Sequence, residues 1–199
     1  MPLSEHRITP ADLISDAQYA LERSARRAAL MPVKRLRRVA LGPYCTVIFE
    51  SYENMLFQVQ EMLLTEKGGA AQVPDELAAY NPLIPQGSEL VATVMFEIDE
   101  PARRARELAR LGGVEQRFFL QFGADFRADG VPDDDDIERT REDGKTSAVH
   151  FLRFPLDEAM KTVFRDPAMS IAIGCDHEHY AHLAMLGPAT RAELARDLT

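Results

Sequence analysis

Two cysteines, Cys45 and Cys175, are all that this 199-residue chain contains, and they lie far apart in sequence. That excludes a disulfide framework and fits a reducing compartment. It also excludes a Cys-ligated iron–sulfur cluster, which takes four thiolates. Long apolar runs are missing as well: the stretches 45–49 and 90–96 are much too short to cross a bilayer. The opening residues, Met-Pro-Leu-Ser-Glu-His-Arg, hold no signal-peptide core. The expectation is therefore a cytoplasmic protein with no membrane role. There is no Gly-x-Ser-x-Gly elbow, and neither cysteine stands in a catalytic motif. Gly68-Gly69 and Gly112-Gly113 read as helix stops, without the frame of a phosphate-binding or dinucleotide-binding loop. ATPase and Rossmann readings drop out.

What is present is a globular composition, in a length that suits one domain, 1–199, with a real core. The net charge of −9 hides an asymmetry: through Leu41 the chain carries eight Lys or Arg against four acids, and beyond it fifteen against twenty-eight. Only the stretch Arg23 to Arg38 offers a basic surface, and it has no Gly-flanked aromatics to stack bases. The acidic remainder would repel a phosphate backbone, so no nucleic-acid partner is expected.

Thr9-Pro10-Ala11-Asp12 and Ser15-Asp16 read as helix starts, the second opening a long helix that Pro32 should end or kink. Residues 1–36 form a helical extension on this reading. Strands follow at 37–41 and 44–49, then a helix over 52–66 with Met55, Leu56, Val59, Met62 and Leu63 at helical spacing. A short helix over 74–79 stops at Asn81-Pro82. The second half predicts strand 90–98, helix 101–111, strands 117–122 and 146–154, helix 156–164 and strand 169–174. Residues 180–186 and 190–198 would add a strand and a closing helix. This is a ferredoxin-like β-α-β-β-α-β order, hence an α+β fold with a mostly antiparallel sheet and helices packed on it. Residues 124–145 interrupt it as an acidic loop; Asp133 to Asp136 lack the spacing of an EF-hand.

Three of the five histidines fall in the window Asp176-His177-Glu178-His179-Tyr180-Ala181-His182. Imidazoles with a carboxylate suit iron or zinc, and in a strand His177 and His179 would share a face. His182 and Asp176 extend the candidate metal set, although no zinc-finger or His-Glu-x-x-His spacing is met. A polar hairpin turn is the alternative. His150 falls on the apolar face of its strand with Ala148, Leu152 and Phe154, which suits a hydrogen-bonded core residue or a further ligand. Arg153 lies on the opposite face, where it would clamp a carboxylate or phosphate. Glu61 shares a helix face with Gln58 and Phe57. It would act as ligand or proton shuttle, or satisfy the Tyr80-Asn81-Pro82 turn. Glu61, Gln58, Tyr80, Asn81 and Arg153 are thus candidates for binding a ligand.

The segments Arg37-Arg38-Val39, Phe57-Gln58-Val59-Gln60-Glu61-Met62-Leu63, Ala79-Tyr80-Asn81-Pro82-Leu83-Ile84-Pro85 and Lys145-Thr146-Ser147-Ala148-Val149-His150-Phe151-Leu152-Arg153-Phe154 resemble a bacterial family, domain of unknown function 3501, over nearly the whole chain. The resemblance carries over no catalytic residues. Members of that family are often encoded beside a rubrerythrin and an iron–sulfur oxidoreductase, which implies a redox or peroxide-defence setting and those proteins as partners. The expectation is an accessory, non-catalytic protein that binds a partner, with the basic N-terminal stretch and the Arg-rich helix 101–111 as docking surfaces. The alternatives are a metal-binding protein and a small-molecule binding or sensor module; a homodimer is open.

Overall fold

The computed structural model describes residues 6–132 and 144–199. Ser15 caps the first helix, α1 (Asp16–Leu36), its hydroxyl accepting the Gln18 N–H. Of the two sequence expectations for Pro32, an end or a kink, the first is not met: α1 runs one more turn beyond it. The reason is solvent: the carbonyl deprived of its donor belongs to Ala28, on an exposed stretch where water replaces the lost bond. Ser51 caps α2 (Tyr52–Glu66), which closes on Lys67 in the left-handed conformation, just before Gly68-Gly69. α3 (Val73–Tyr80) begins with Pro74 in its first turn, where a missing N–H costs nothing.

The remaining elements are β1 (Arg38–Leu41), β2 (Cys45–Phe49), β3 (Glu89–Phe96), α4 (Pro101–Arg110), β4 (Phe118–Phe122), β5 (Phe126–Asp129), β6 (Val131–Pro132), β7 (Val149–Pro155), α5 (Glu158–Arg165), β8 (Ile171–His177), β9 (Tyr180–Met185) and α6 (Pro188–Leu194). Every pairing between these strands is antiparallel, an isolated parallel bridge joins Gly87 to Leu198, and the class is α+β. The order along the chain is compatible with the expected β-α-β-β-α-β succession, but β5 and β6 intervene between β4 and β7, and in place of the single sheet expected the strands divide between two. One runs β1-β2-β3-β7-β6 and the other β5-β4-β8-β9. Inside the expected loop 124–145 lie β5 and β6; Asp133 to Asp136 fall outside the described residues.

β3 explains the layering. Its Leu90, Ala92, Val94 and Phe96 face the second sheet and join Phe118, Leu120, Phe122, Ile171 and Ile173 in one core. Val91 points the other way, onto Met55, Val59 and Leu63 of α2 and onto Leu83 and Ile84. Period-two alternation with apolar residues in both sets is what a strand buried on two faces requires. Burying each such side chain stabilises the fold by about 1.5–3 kcal/mol before entropy is counted. The layers are helices, first sheet, second sheet, with Leu108, Phe164 and Leu194 closing the inner core. No helix among the described residues is long and apolar enough to cross a membrane.

The two sheets meet at Gly130, between β5 and β6, whose N–H donates to Phe118 O at 2.8 Å. A Cβ there would stand 3.0 Å from the Phe154 ring and 3.2 Å from Phe118 O, the latter fixed backbone. Gly130→Ala should therefore destabilise the protein by about 1–3 kcal/mol, an overpacking cost, in equilibrium urea unfolding. A change within about 0.5 kcal/mol would show that the corner relaxes freely.

Candidate functional site

The β8–β9 hairpin brings His177 and His179 near one another, ring centroids 5.8 Å apart, but sends Asp176 and His182 elsewhere. His177 is buried: its Nδ1 accepts the His179 N–H at 3.2 Å and its Nε2 lies 3.3 Å from Gly112 O, so both ring nitrogens are engaged within the protein. Asp176 points to the outer face of the sheet, where Arg127 holds it at 2.8 Å. His182 packs over Gly42 and against the Tyr180 ring, 4.5 Å between centroids. His179 sits in the turn, its ring half-exposed. His150 is fully buried, Nε2 lying 3.1 Å from Thr146 Oγ1 and 3.0 Å from Ser147 O. Among the described residues no three His, Cys, Asp or Glu side chains are grouped as a metal ion would need.

Glu61 and Gln58 are likewise outside any common site with the Tyr80-Asn81-Pro82 turn. Glu61 ties α2 to α1, accepting from Tyr19 Oη at 2.7 Å and from Arg23 Nε and Nη2 at 2.8 and 2.7 Å. The Arg23 hydrogen bonds, with Tyr19, hold its carboxyl below the usual carboxylate range despite partial desolvation. Gln58 is half-buried on α2, and Tyr80 packs against the cluster between α2 and the first sheet.

Asn81 and Arg153 do come together. Asn81 follows α3, and its amide grips the backbone of Ile8 in both directions: Oδ1 accepts the Ile8 N–H at 2.8 Å, and Nδ2 donates to Ile8 O at 3.0 Å. Gln86 Nε2 donates to His6 O at 2.8 Å, stitching the same segment one step further. The N-terminal segment thereby becomes a wall facing α3, and between them lies a groove of about 650 Å³. Its apolar surfaces come from Val73, Pro74 and Leu77 of α3 and from Ile84. Arg153 enters from the helix-covered face of β7, where period two placed it. Its Nη1 donates to Glu89 Oε1 at 2.8 Å and its Nη2 to Pro82 O. These bonds fix the guanidinium while leaving it partly open to the groove, which Arg7 and His6 also line.

A second, charged constellation adjoins it. Arg37 caps α1 and is almost wholly buried, yet all five of its N–H donors are used. Nη1 reaches Asp197 Oδ2 at 2.7 Å and Glu50 O at 3.0 Å; Nη2 reaches Asp197 Oδ1 at 2.9 Å and Glu193 Oε1 at 3.0 Å; Nε reaches Glu193 Oε1 at 3.2 Å. Burial works against this charge, but the two carboxylates outweigh it and raise the guanidinium pKa. Below it the Glu50 side chain is buried with Thr93 Oγ1 donating at 2.6 Å and Asn54 Nδ2 donating to its other oxygen. Arg37, Glu50, Glu193 and Asp197 escaped the sequence reading of the site; the only signal was Arg37 inside Arg37-Arg38-Val39.

The chain matches the family described as "Protein of unknown function (DUF3501)" over residues 7–198. It is also similar to a solved structure, a crystal structure of a novel protein of unknown function from Burkholderia pseudomallei K96243. The two are 38% identical, the match covers 96% of this chain and 99% of that one, and the TM-score is 0.88. None of the curated proteins matches.

Burial raises the Glu50 carboxyl above the usual range, against the pull of Thr93, Asn54, Lys34 and Arg37. Between the unfolded pKa, about 4.3, and the higher folded value, the native state keeps a proton that the unfolded chain releases. Through Glu50, stability therefore falls as pH rises through that window. Urea unfolding at several pH values between 5 and 8 should show a smaller loss with rising pH in Glu50→Gln than in the wild type. Identical pH dependence in the two would mean that Glu50 is ionised throughout.

Proposed function

This chain belongs to the DUF3501 family, and from that premise we propose that it is a non-catalytic binding protein whose ligand occupies the groove between the N-terminal segment and α3. The observation that carries this reading is the preformed groove of about 650 Å³, a volume typical of small-molecule sites, which run about 300–1,000 Å³. Its walls are held before any ligand arrives, by Asn81 on Ile8 and by Gln86 on His6. Binding then costs little ordering of the protein. The combination of apolar surface with a few oriented polar groups supports recognition of a small molecule, as a sensor or carrier would need.

A second reading, docking to a protein partner, is favoured by α1. Of its 21 residues only Tyr19 is buried, and Leu21 is 87% exposed on a helix that also carries Arg23, Arg26, Arg27, Lys34 and Arg35. Such a surface suits an acidic partner in the cytoplasm, and the redox setting implied by the family's gene neighbours supplies rubrerythrin and the iron–sulfur oxidoreductase as candidates. Calorimetric titration of each purified protein should give micromolar or tighter association that weakens with salt and with Arg26→Glu. Absence of heat with both proteins would remove this second reading.

The groove itself is tested by a thermal-shift screen of soluble metabolites against the wild type and Ala78→Trp. Ala78 is exposed on α3 and lines the groove, so the indole fills it without entering the core. Compounds that raise the wild-type Tm and leave the variant unmoved are expected. If every stabilising compound acts equally on both, the groove is not the binding site.

A further inference from the structure

Resting on that reading, we infer that the groove is built for an amphipathic organic anion: a soluble molecule with one carboxylate or phosphate head and an apolar body. The argument is charge placement. The chain carries 32 Asp and Glu and a net charge of −9, yet among the described residues the side chains lining this groove include Arg7, Arg153 and His6 and not one carboxylate. In so acidic a protein such a lining, with two arginines, one of them partly offset by Glu89 behind it, and no acid, marks where an anion is tolerated and a cation is not.

The two arginines differ in kind. Arg153 is half-buried and pre-oriented: Glu89 holds Nη1 from below and the Pro82 carbonyl holds Nη2. Its planar fork is thus fixed beside the space where a head group would sit, and little side-chain entropy is lost on pairing. Glu89 offsets part of its charge, so Arg153 alone would be a weak anion site. Arg7, exposed on the opposite wall, supplies the uncompensated charge. Because Asn81 and Gln86 bind the backbone on either side of Arg7, its position on that wall is set. Val73, Pro74, Leu77 and Ile84 then meet the remainder of the ligand. These surfaces offer carbon contacts, with no further donors aimed at a polar chain. A sugar or a fully polar metabolite would gain nothing from these surfaces. An alkyl or aryl body would gain from its burial there.

The test is isothermal titration with defined probes below their micelle-forming concentrations. Hexanoate, octanoate and decanoate vary the body; decanoate, decyl phosphate, decanol and decyltrimethylammonium vary the head. Affinity should rise up to about fourfold per added methylene, the value of full burial. Decanoate and decyl phosphate should bind about tenfold or more tightly than decanol, and the ammonium probe not measurably. Arg7→Glu should weaken the two anions by about tenfold and leave decanol unchanged, while Ala78→Trp should abolish all binding. Both substituted residues are exposed, so the variants should fold; retained circular dichroism and wild-type melting check this. Decanol binding as tightly as decanoate, with both lost in Ala78→Trp, would overturn the anion class and leave the groove as a binding site. Anion binding untouched by Ala78→Trp would overturn the groove as well. No binding by any probe would overturn the ligand class, while the metabolite screen decides the groove independently.

Discussion

β3 has water on neither face, and the rest of the architecture follows from that constraint. A strand whose Leu90, Ala92, Val94 and Phe96 sit in one core and whose Val91 sits in another needs a covering layer on each side. The second sheet supplies one and α2 with its neighbours the other. Its hydrogen-bonded neighbour β7 inherits the same environment, so His150 is sealed in the inner core while Arg153, three residues on, emerges under the helical layer. That is why a fixed arginine can stand at a groove. The guanidinium is partly exposed and lines the groove between the N-terminal segment and α3.

The helical layer is held to the sheet by polar clamps as well as by apolar contact. Arg37 joins the end of α1, the backbone at Glu50 and the carboxylates of Glu193 and Asp197 into one unit. Removing a single partner would strand a buried charge, a cost of about 3–5 kcal/mol, whereas the intact cluster contributes much less net stability. Asp197 shows the tension: burial raises its carboxyl pKa, Arg37 pulls it down, and Glu53 and Glu193 push it up again. The cluster therefore fixes where the C-terminal helix lies more than it stabilises the fold. Asn81 does the same for the N-terminal segment with neutral groups, and at no desolvation penalty for charge.

The sequence carried most of the local structure because its signals are local. Ser15 and Ser51 are side-chain caps acting three residues away, and the apolar spacing of α2 and the alternation of β7 are properties of short windows. Pairing was not legible in the same way. That β3 and β7 enter one sheet while β4 and β8 enter another depends on contacts between distant segments, with Gly130 at one of the places where the chain passes from one sheet to the other. The site divides along the same line. Arg153 was placed on its face by period two, and Asn81 was singled out as a turn residue. Asn81's partner lies 73 residues away, and the carboxylates on Arg37 lie 156 and 160 away. No window of sequence displays such pairs. The histidine window shows residue type without direction: across one hairpin Asp176 faces outward, His177 inward, and His179 sits in the turn.

Electrostatics also decides how the groove can work. Over the whole molecule the field opposes an anion, and at physiological ionic strength it is screened within about 8 Å. Long-range attraction therefore adds nothing to capture, and the two arginines act only at contact. Binding strength must come mainly from apolar area on α3, which has no preference among head groups. Selection among ligands falls to Arg7 and Arg153, through the difference between a paired charge and a repelled one. A site of that kind discriminates by what it refuses. Cationic amphiphiles meet Arg7 and an Arg153 only partly offset by Glu89 behind it, and neutral ones leave Arg7 to water at no gain. The acid-free lining in an acidic protein is thus a device for specificity, and the rigid wall set by Asn81 is what keeps its two charges facing one occupant.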